Sequence, residues 1–246
     1  IKRNIEVEVD LIIADMEMPR CDGLQLLTKL KSSDVATECL IISSFHAHGG
    51  EKILEAMRIG AAGFLPKSEI GVTVNLEEFR NRLIAWVHLF SKEHLNKAPF
   101  ENARGLSAGV DAAVLKSNAD SLVIIGSAGS LGPLEEILNV CVDLERPLIV
   151  AVHMPTGLET KLISRIFRAI PLENRPNIHF DHVQCSGSAV TILRGGALSK
   201  LVKVDNEIRI NYRSPNSQND IFAPNIDDFL DSCLAIGFLC DVVVLS

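Results

Sequence analysis

Residues 11–23, LIIADMEMPRCDG, decide the fold. An apolar run (VDLIIA, 9–14) leads into a carboxylate, Asp15, and then into a short loop with Pro19. Asp22-Gly23 opens a segment whose apolar positions, Leu24, Leu26, Leu27 and Leu30, recur at helical spacing. Working outward, CLIIS (39–43) predicts a second strand, ending in Ser43. Ile53, Leu54, Met57 and Ile59 predict a helix over 50–59, and AGFLP (62–66) a third strand, followed by Lys67. A further helix is predicted over about 75–94. Strands alternating with helices imply a parallel sheet.

In an open α/β sheet, ligands bind beyond the carboxyl ends of the strands. Three successive strands here end in Asp15, Ser43 and Lys67. Any one of these alone reads as a solvated strand-end residue. Together they place a carboxylate, a hydroxyl and a cation at one sheet edge, which suits phosphoryl transfer to Asp15. Mg²⁺ would neutralise the phosphoryl oxygens, Lys67 would pair one of them and Ser43 would hydrogen-bond another.

Residues 95–120 lose all periodicity and read as a linker, with some helix near 108–116. A second alternation starts at Leu122. LVIIG is a strand, LEEILNVCVDL a helix, PLIVAVH a strand and GLETKLISRIFRAI a helix. Short strands follow at 190–193, 201–204 and 207–212, then a loop over 213–226, a helix over 227–237 and a strand over 241–245. The reading is therefore α/β, with two doubly wound parallel-sheet domains.

The small-residue turn Gly126-Ser127-Ala128-Gly129-Ser130-Leu131-Gly132-Pro133 joins strand to helix. Such a turn either binds an anion on helix N–H groups or presents a nucleophile beside an oxyanion hole. The glycine spacing is GxxGxxG, a weak dinucleotide signal, and the next strand ends in His153, not in an acid for a ribose. A histidine at the neighbouring strand end favours a general-base-activated serine, with Ser127 and Ser130 both candidates. Taken singly, His153 reads as solvated, as do His46 and His48 in the loop after Ser43. His179 and His182 read as surface or strand-edge residues.

Composition sets bounds. Of 246 residues, 47% are hydrophobic and 22% charged, a globular balance that excludes wholesale disorder. Lys+Arg of 24 against Asp+Glu of 31 gives −7, and there is no basic block, so nucleic-acid binding by charge is not expected. No stretch of about 20 apolar residues offers a membrane span. No signal peptide is recognisable. The six cysteines include no CxxC pair and read as reduced, mostly buried thiols of a cytoplasmic protein, without disulfide or zinc.

DLIIADMEMPRCDG, LIISS and GAAGFLPK together resemble the receiver domain of two-component response regulators. The resemblance implies that Asp15 is the phospho-acceptor, Ser43 the switch hydroxyl, Phe64 the switch aromatic and Lys67 the family's lysine. It also implies Mg²⁺, held by Asp15 and the Glu17 main-chain carbonyl. LVIIGSAGSLGPLEEIL, VAVHMPTGLETKLISRI, VTILRGGALSKLVKV and PNIDDFLDS resemble the catalytic domain of the chemotaxis protein-glutamate methylesterases. The expected layout is a receiver over 1–94 lacking its first strand, a linker over 95–120, and a catalytic domain over 121–246 lacking its C-terminal part.

The resemblance implies phosphorylation-regulated hydrolysis of glutamyl methyl esters, with glutamine deamidation, on chemoreceptor cytoplasmic helices. A histidine kinase would be the phosphoryl donor, and the esterase itself needs no cofactor. Keeping the Ser-Ala-Gly order favours Ser127 as nucleophile, Ser130 as the alternative, His153 as base, and Ala128 and Gly129 at the oxyanion turn. The receiver's acidic pair and the triad Asp fall outside the sequence on this reading, so a chain truncated at both ends is expected to be a very poor enzyme. Two other readings are a catalytically degenerate receiver-containing signalling or binding protein and a Rossmann-type nucleotide binder.

Overall fold

The computed structural model describes residues 9–33, 37–44, 50–67, 76–90, 118–141, 146–169, 175–185, 189–215 and 223–245. The linker, the helix expected near 108–116, His46 and His48 lie outside these residues.

The first unit is a parallel sheet with strand order β1-β2-β3. β1 is Leu11–Asp15, β2 Glu38–Ser43 and β3 Gly63–Pro66. Helix α1 (Gly23–Lys31) starts where the Asp22 carboxylate accepts the Gln25 N–H at 2.8 Å, an N-cap that satisfies one otherwise unpaired donor. It buries Leu27 and Leu30 and ends with Lys29 and Lys31 in its last turn, where cations suit the helix dipole. Helix α2 (Gly50–Ile59) buries Ile53, Leu54 and Met57, and helix α3 (Leu76–Leu89) follows. A Cβ on Gly63 would stand 2.2 Å from the Trp86 ring, so the glycine lets α3 lie flush on β3.

The second unit is a five-stranded parallel sheet of order β11-β4-β5-β8-β6. Its strands are β4 (Ser121–Gly126), β5 (Leu148–Val152), β6 (Asn177–His179), β8 (Ala189–Ile192) and β11 (Cys240–Leu245). β4 and β5 are buried along their whole length, as the near-continuous apolar runs of a sheet covered on both faces require. Helices α4 (Leu131–Cys141), α5 (Glu159–Ile166) and α6 (Ile226–Ala235) flank it.

One feature departs from an all-parallel expectation. β7 (His182–Val183), β9 (Leu198–Val204) and β10 (Glu207–Arg213) form a separate antiparallel sheet. The cause is local: only Asp205 and Asn206 separate β9 from β10, Asp205 has φ 55°, and so short a link permits only a hairpin. His179 falls in edge strand β6 and the exposed His182 in β7, matching their reading as surface or strand-edge residues.

The two units share a core. One hydrophobic cluster runs from Ile53, Leu54, Met57 and Ala61 to Leu131, Leu134, Leu158 and Leu162. No helix among the described residues is long and apolar enough to cross a membrane.

Candidate functional site: an acidic strand end and a serine turn

The C-terminal edge of the first sheet brings Asp15 and Lys67 together. Parallel register sets Asp15 opposite Ile42 and Ser43 opposite Pro66, and the Lys67 N–H donates to the Ser43 carbonyl at 2.8 Å. The Lys67 ammonium donates to Asp15 Oδ2, and the Glu17 N–H reaches Asp15 Oδ1 at 3.2 Å. The Lys67 hydrogen bond, aided by the Glu17 N–H and opposed by partial burial, holds the Asp15 carboxyl below its usual range. The carboxylate anion is therefore the resting form.

Gly23 makes the edge tight. A Cβ there would stand 2.8 Å from the Asp15 carbonyl oxygen, and the Gly23 N–H donates to the Met16 carbonyl at 3.0 Å. The Asp-Gly pair thus anchors α1 directly under the acidic strand end. Ser43 ends β2 at the same edge. It is 4% exposed and its hydroxyl donates to the Ser44 carbonyl at 3.3 Å. Phe64 is buried in the common core.

For Mg²⁺, the donor chemistry fits: the Asp15 carboxylate and the Glu17 carbonyl are hard oxygens two residues apart in one turn. No group of three or more His, Cys, Asp or Glu able to hold a metal exists among the described residues.

The serine turn lies at the corresponding edge of the second sheet. β4 ends at Gly126, Ser127 is extended (φ −81°, ψ 178°), and Ala128–Ser130 form a 3-10 turn before α4. Ser127 is exposed. Ser130 is fully buried and structural: its hydroxyl donates to the Ser127 carbonyl at 2.6 Å and its N–H to the same oxygen at 3.1 Å. A Cβ on Gly126 would stand 2.0 Å from Ser130 Oγ, so Gly126 and Ser130 require each other.

Gly126 pairs with Val152, and the His153 N–H donates to the Gly126 carbonyl at 3.2 Å. Ser127 and His153 therefore leave adjacent strands side by side. The His153 ring is half-buried, and its Nε2 is hydrogen-bonded to the Pro224 carbonyl at 2.9 Å. A carbonyl only accepts, so Nε2 carries a proton in this arrangement. Burial pushes the His153 pKa down, partly offset by the Pro224 bond.

Sequence reasoning missed what covers the serine turn. A Cβ on Gly129 would lie 3.6 Å from the Ala61 carbonyl, 3.7 Å from Gly60 Cα and 3.8 Å from Ser127 Oγ. The α2–β3 connection of the first unit thus sits on the turn. Arg165 of α5 reaches Glu55 of α2 at 3.0 Å and Glu135 of α4 at 2.7 Å. Nothing local in the sequence marks Arg165, Glu55 or Pro224 as site neighbours, because each contact spans distant segments.

Residues 2–74 match the response regulator receiver domain family. A protein-glutamate methylesterase/protein-glutamine glutaminase of Archaeoglobus fulgidus is 28% identical over 94% of this chain and 66% of its own length. One from Methanospirillum hungatei is 30% identical over 78% of this chain and 52% of its own. One from Geobacter sulfurreducens is 25% identical over 96% and 68%. The chain spans about half to two thirds of the length of these relatives. Residues 2–74 thus carry a response regulator receiver domain, and the α/β chain as a whole is similar to protein-glutamate methylesterases/protein-glutamine glutaminases.

Proposed function

We propose that the chain is part of a phosphorylation-regulated serine hydrolase of chemotaxis signalling. It would remove methyl groups from glutamyl esters, and deamidate glutamines, on the cytoplasmic helices of chemoreceptors. The layout inferred is a receiver over 1–94, a linker over 95–120 and a catalytic domain over 121–246, working in the cytoplasm. The observation that carries this reading is the exposed Ser127 on a tight turn beside His153, with Gly60–Ala61 of the receiver laid against the same turn.

Ser127 Oγ would attack the ester carbonyl, with His153 taking its proton and returning it to the leaving methanol. N–H groups of the Ala128–Gly129 turn would receive the oxyanion. Burial of Ser130 and its bonds to the Ser127 carbonyl support Ser127 as nucleophile and Ser130 as the brace of the turn. Because His153 Nε2 is engaged by Pro224, the arrangement reads as a resting state, and the ring turns toward Ser127 on activation.

A histidine kinase would supply the phosphoryl group to Asp15. Mg²⁺, held by Asp15 and the Glu17 carbonyl, would neutralise charge on the incoming phosphoryl oxygens. Phosphorylation removes the carboxylate that Lys67 now pairs. Lys67 follows the last residue of β3, and the connection that enters β3, Gly60–Ala61, lies on the serine turn, so the change would reach the interface between the units through β3.

A second reading, a phosphate-responsive binding module without catalysis, is favoured by the same His153–Pro224 bond. The test is methanol release from methylated receptor, with and without acetyl phosphate and Mg²⁺, for the parent and for Ser127→Ala, Ser130→Ala and His153→Ala. Loss in the Ser127 and His153 variants supports the hydrolase. Equal release in all three removes it.

A further inference from the structure

The sheet edge that carries Ser127 and His153 also carries a cation that the proposed hydrolysis does not use. Strands β4, β5 and β8 are neighbours in that order, all parallel. Ser127 follows β4, His153 follows β5, and Arg194 lies two residues past the end of β8, so all three leave the sheet at one edge. The Leu193 N–H donates to the Val150 carbonyl at 2.9 Å, which keeps β8 in register with β5 up to this point. Gly195 and Gly196 then lie flush on the segment that follows His153. A Cβ on Gly195 would stand 2.5 Å from the carbonyl oxygens of Met154 and Pro155, and one on Gly196 (φ 66°) 2.2 Å from Thr156 Oγ1. Arg194 is thereby fixed at the rim of the site.

The guanidinium is held in place without using all its donors. Its Nη2 donates to Asp181 Oδ1 at 2.7 Å, and its Cζ stands 5.0 Å from the centre of the Tyr212 ring. Tyr212 in turn donates its hydroxyl to the Phe180 carbonyl at 2.5 Å. Nε and Nη1 have no hydrogen-bond partner among the described residues. The side chain is 46% exposed, although the first unit covers the serine turn. Arginine presents its donors as a planar fork that fits a carboxylate. A fork already fixed loses little freedom on binding. The geometry points to Arg194 as a specificity-determining residue that takes a free carboxylate of the substrate segment, at a distance from the ester under attack.

Strand spacing sets that distance. Two strand separations put the Arg194 backbone roughly 10 Å from Ser127, and the side chain extends about one strand further, toward Asp181 beyond β6. An α-helical segment covers roughly 10–15 Å in about seven to ten residues. The inference rests on the hydrolase reading. Hydrolysis of a glutamyl ester or a glutamine leaves a glutamate, so each turnover creates the group that Arg194 binds. A segment already bearing one such glutamate within reach is therefore the better substrate. Asp181 competes for the same cation, but it is 66% exposed, and an exposed partner is displaced at little cost.

The experiment compares two synthetic helical peptides, each with one central glutamyl methyl ester. One carries glutamate about seven and ten residues away on both sides, the other alanine at the same positions. Methanol release is measured for the parent protein with acetyl phosphate and Mg²⁺, and peptide binding by fluorescence anisotropy on the Ser127→Ala background. The parent should favour the glutamate peptide about five-fold in kcat/KM, through KM, and Ser127→Ala should bind it about five-fold more tightly. Arg194→Gln should bring both ratios to about one by lowering the glutamate peptide to the level of the alanine peptide. Arg194→Lys should keep part of the preference. Asp181→Asn should keep or raise it, because the amide oxygen still accepts from Nη2 while the competing charge is gone. Equal values for the two peptides in the parent, or a loss in Asp181→Asn as complete as in Arg194→Gln, would overturn the proposal and leave the hydrolase reading standing. An Arg194-dependent binding preference without methanol release would support the carboxylate site and remove the hydrolase reading instead.

Discussion

Arg165 of α5 places its Nη2 3.0 Å from Glu55 Oε2 on α2, joining the two units by an ion pair at the edge of their shared core. The same guanidinium contacts Glu135 at 2.7 Å, and Arg58 binds Glu55 from its own helix at 2.6 Å. Hydrogen bonds from Arg58 first, then from Arg165, outweigh burial and lower the Glu55 carboxyl to about 2. Two arginines thus share one carboxylate directly beside the segment that lies on the serine turn.

Arg165→Ala is expected to weaken this closure. A partly exposed pair contributes up to about 1 kcal/mol, so basal hydrolysis without phosphorylation should rise by up to about five-fold, while phosphorylated activity stays unchanged. Methanol release in both states measures it. An unchanged basal rate would mean the ion pair does not hold the units closed.

The interface should also be acid-sensitive through Glu55. Its folded-state pKa is depressed, so its contribution is complete above the unfolded value, near 4.5, and is lost as pH falls toward about 2. Hydrogen exchange of α2 amides should accelerate through that window, and Glu55→Gln should remove the pH dependence.

The two serines should separate cleanly. Ser127→Ala should abolish labelling by a fluorophosphonate probe. Ser130→Ala should leave the label on Ser127 but lower stability by about 1 kcal/mol, the net value of a lost side-chain hydrogen bond. Peptide mapping of the adduct and urea unfolding give the two readouts. A label on Ser130 would reverse the assignment.

His153 should act as a base down to lower pH than an ordinary imidazole, because burial lowers its pKa. The kcat/KM profile should fall only below about pH 6.5. The unfolded chain takes up this proton before the folded one, so the His153 contribution to stability decreases as pH falls through the same window. NMR titration of the imidazole reads the pKa directly.

Gly23→Ala should destabilise the first unit by about 1–3 kcal/mol, since its methyl would meet backbone, not a movable side chain. A lower urea midpoint with unchanged slope is the expected result, together with slower phosphorylation of Asp15 by acetyl phosphate.

Much of this was legible in one dimension. Apolar runs ending in Asp15, Ser43 and Lys67 determined a parallel sheet with its chemistry at one edge, because strand ends in such a sheet share that edge by construction. The periodicity of 24–30, 53–59 and 227–237 placed helices that the structure has within a few residues. Gly126 and His153 were recognisable as neighbours for the same reason: adjacent parallel strands bring their last residues together.

What the sequence could not decide was which serine faces outward, since Ser127 and Ser130 differ only in which side of a 3-10 turn they occupy. Nor could it place Gly60–Ala61 on that turn, bring Arg165 to Glu55, or turn His153 toward Pro224. Those contacts join segments far apart in the chain. No local propensity encodes them: the packing of α2 against α4 and α5 brings the first two within reach, and the approach of the segment before α6 to the end of β5 brings the third.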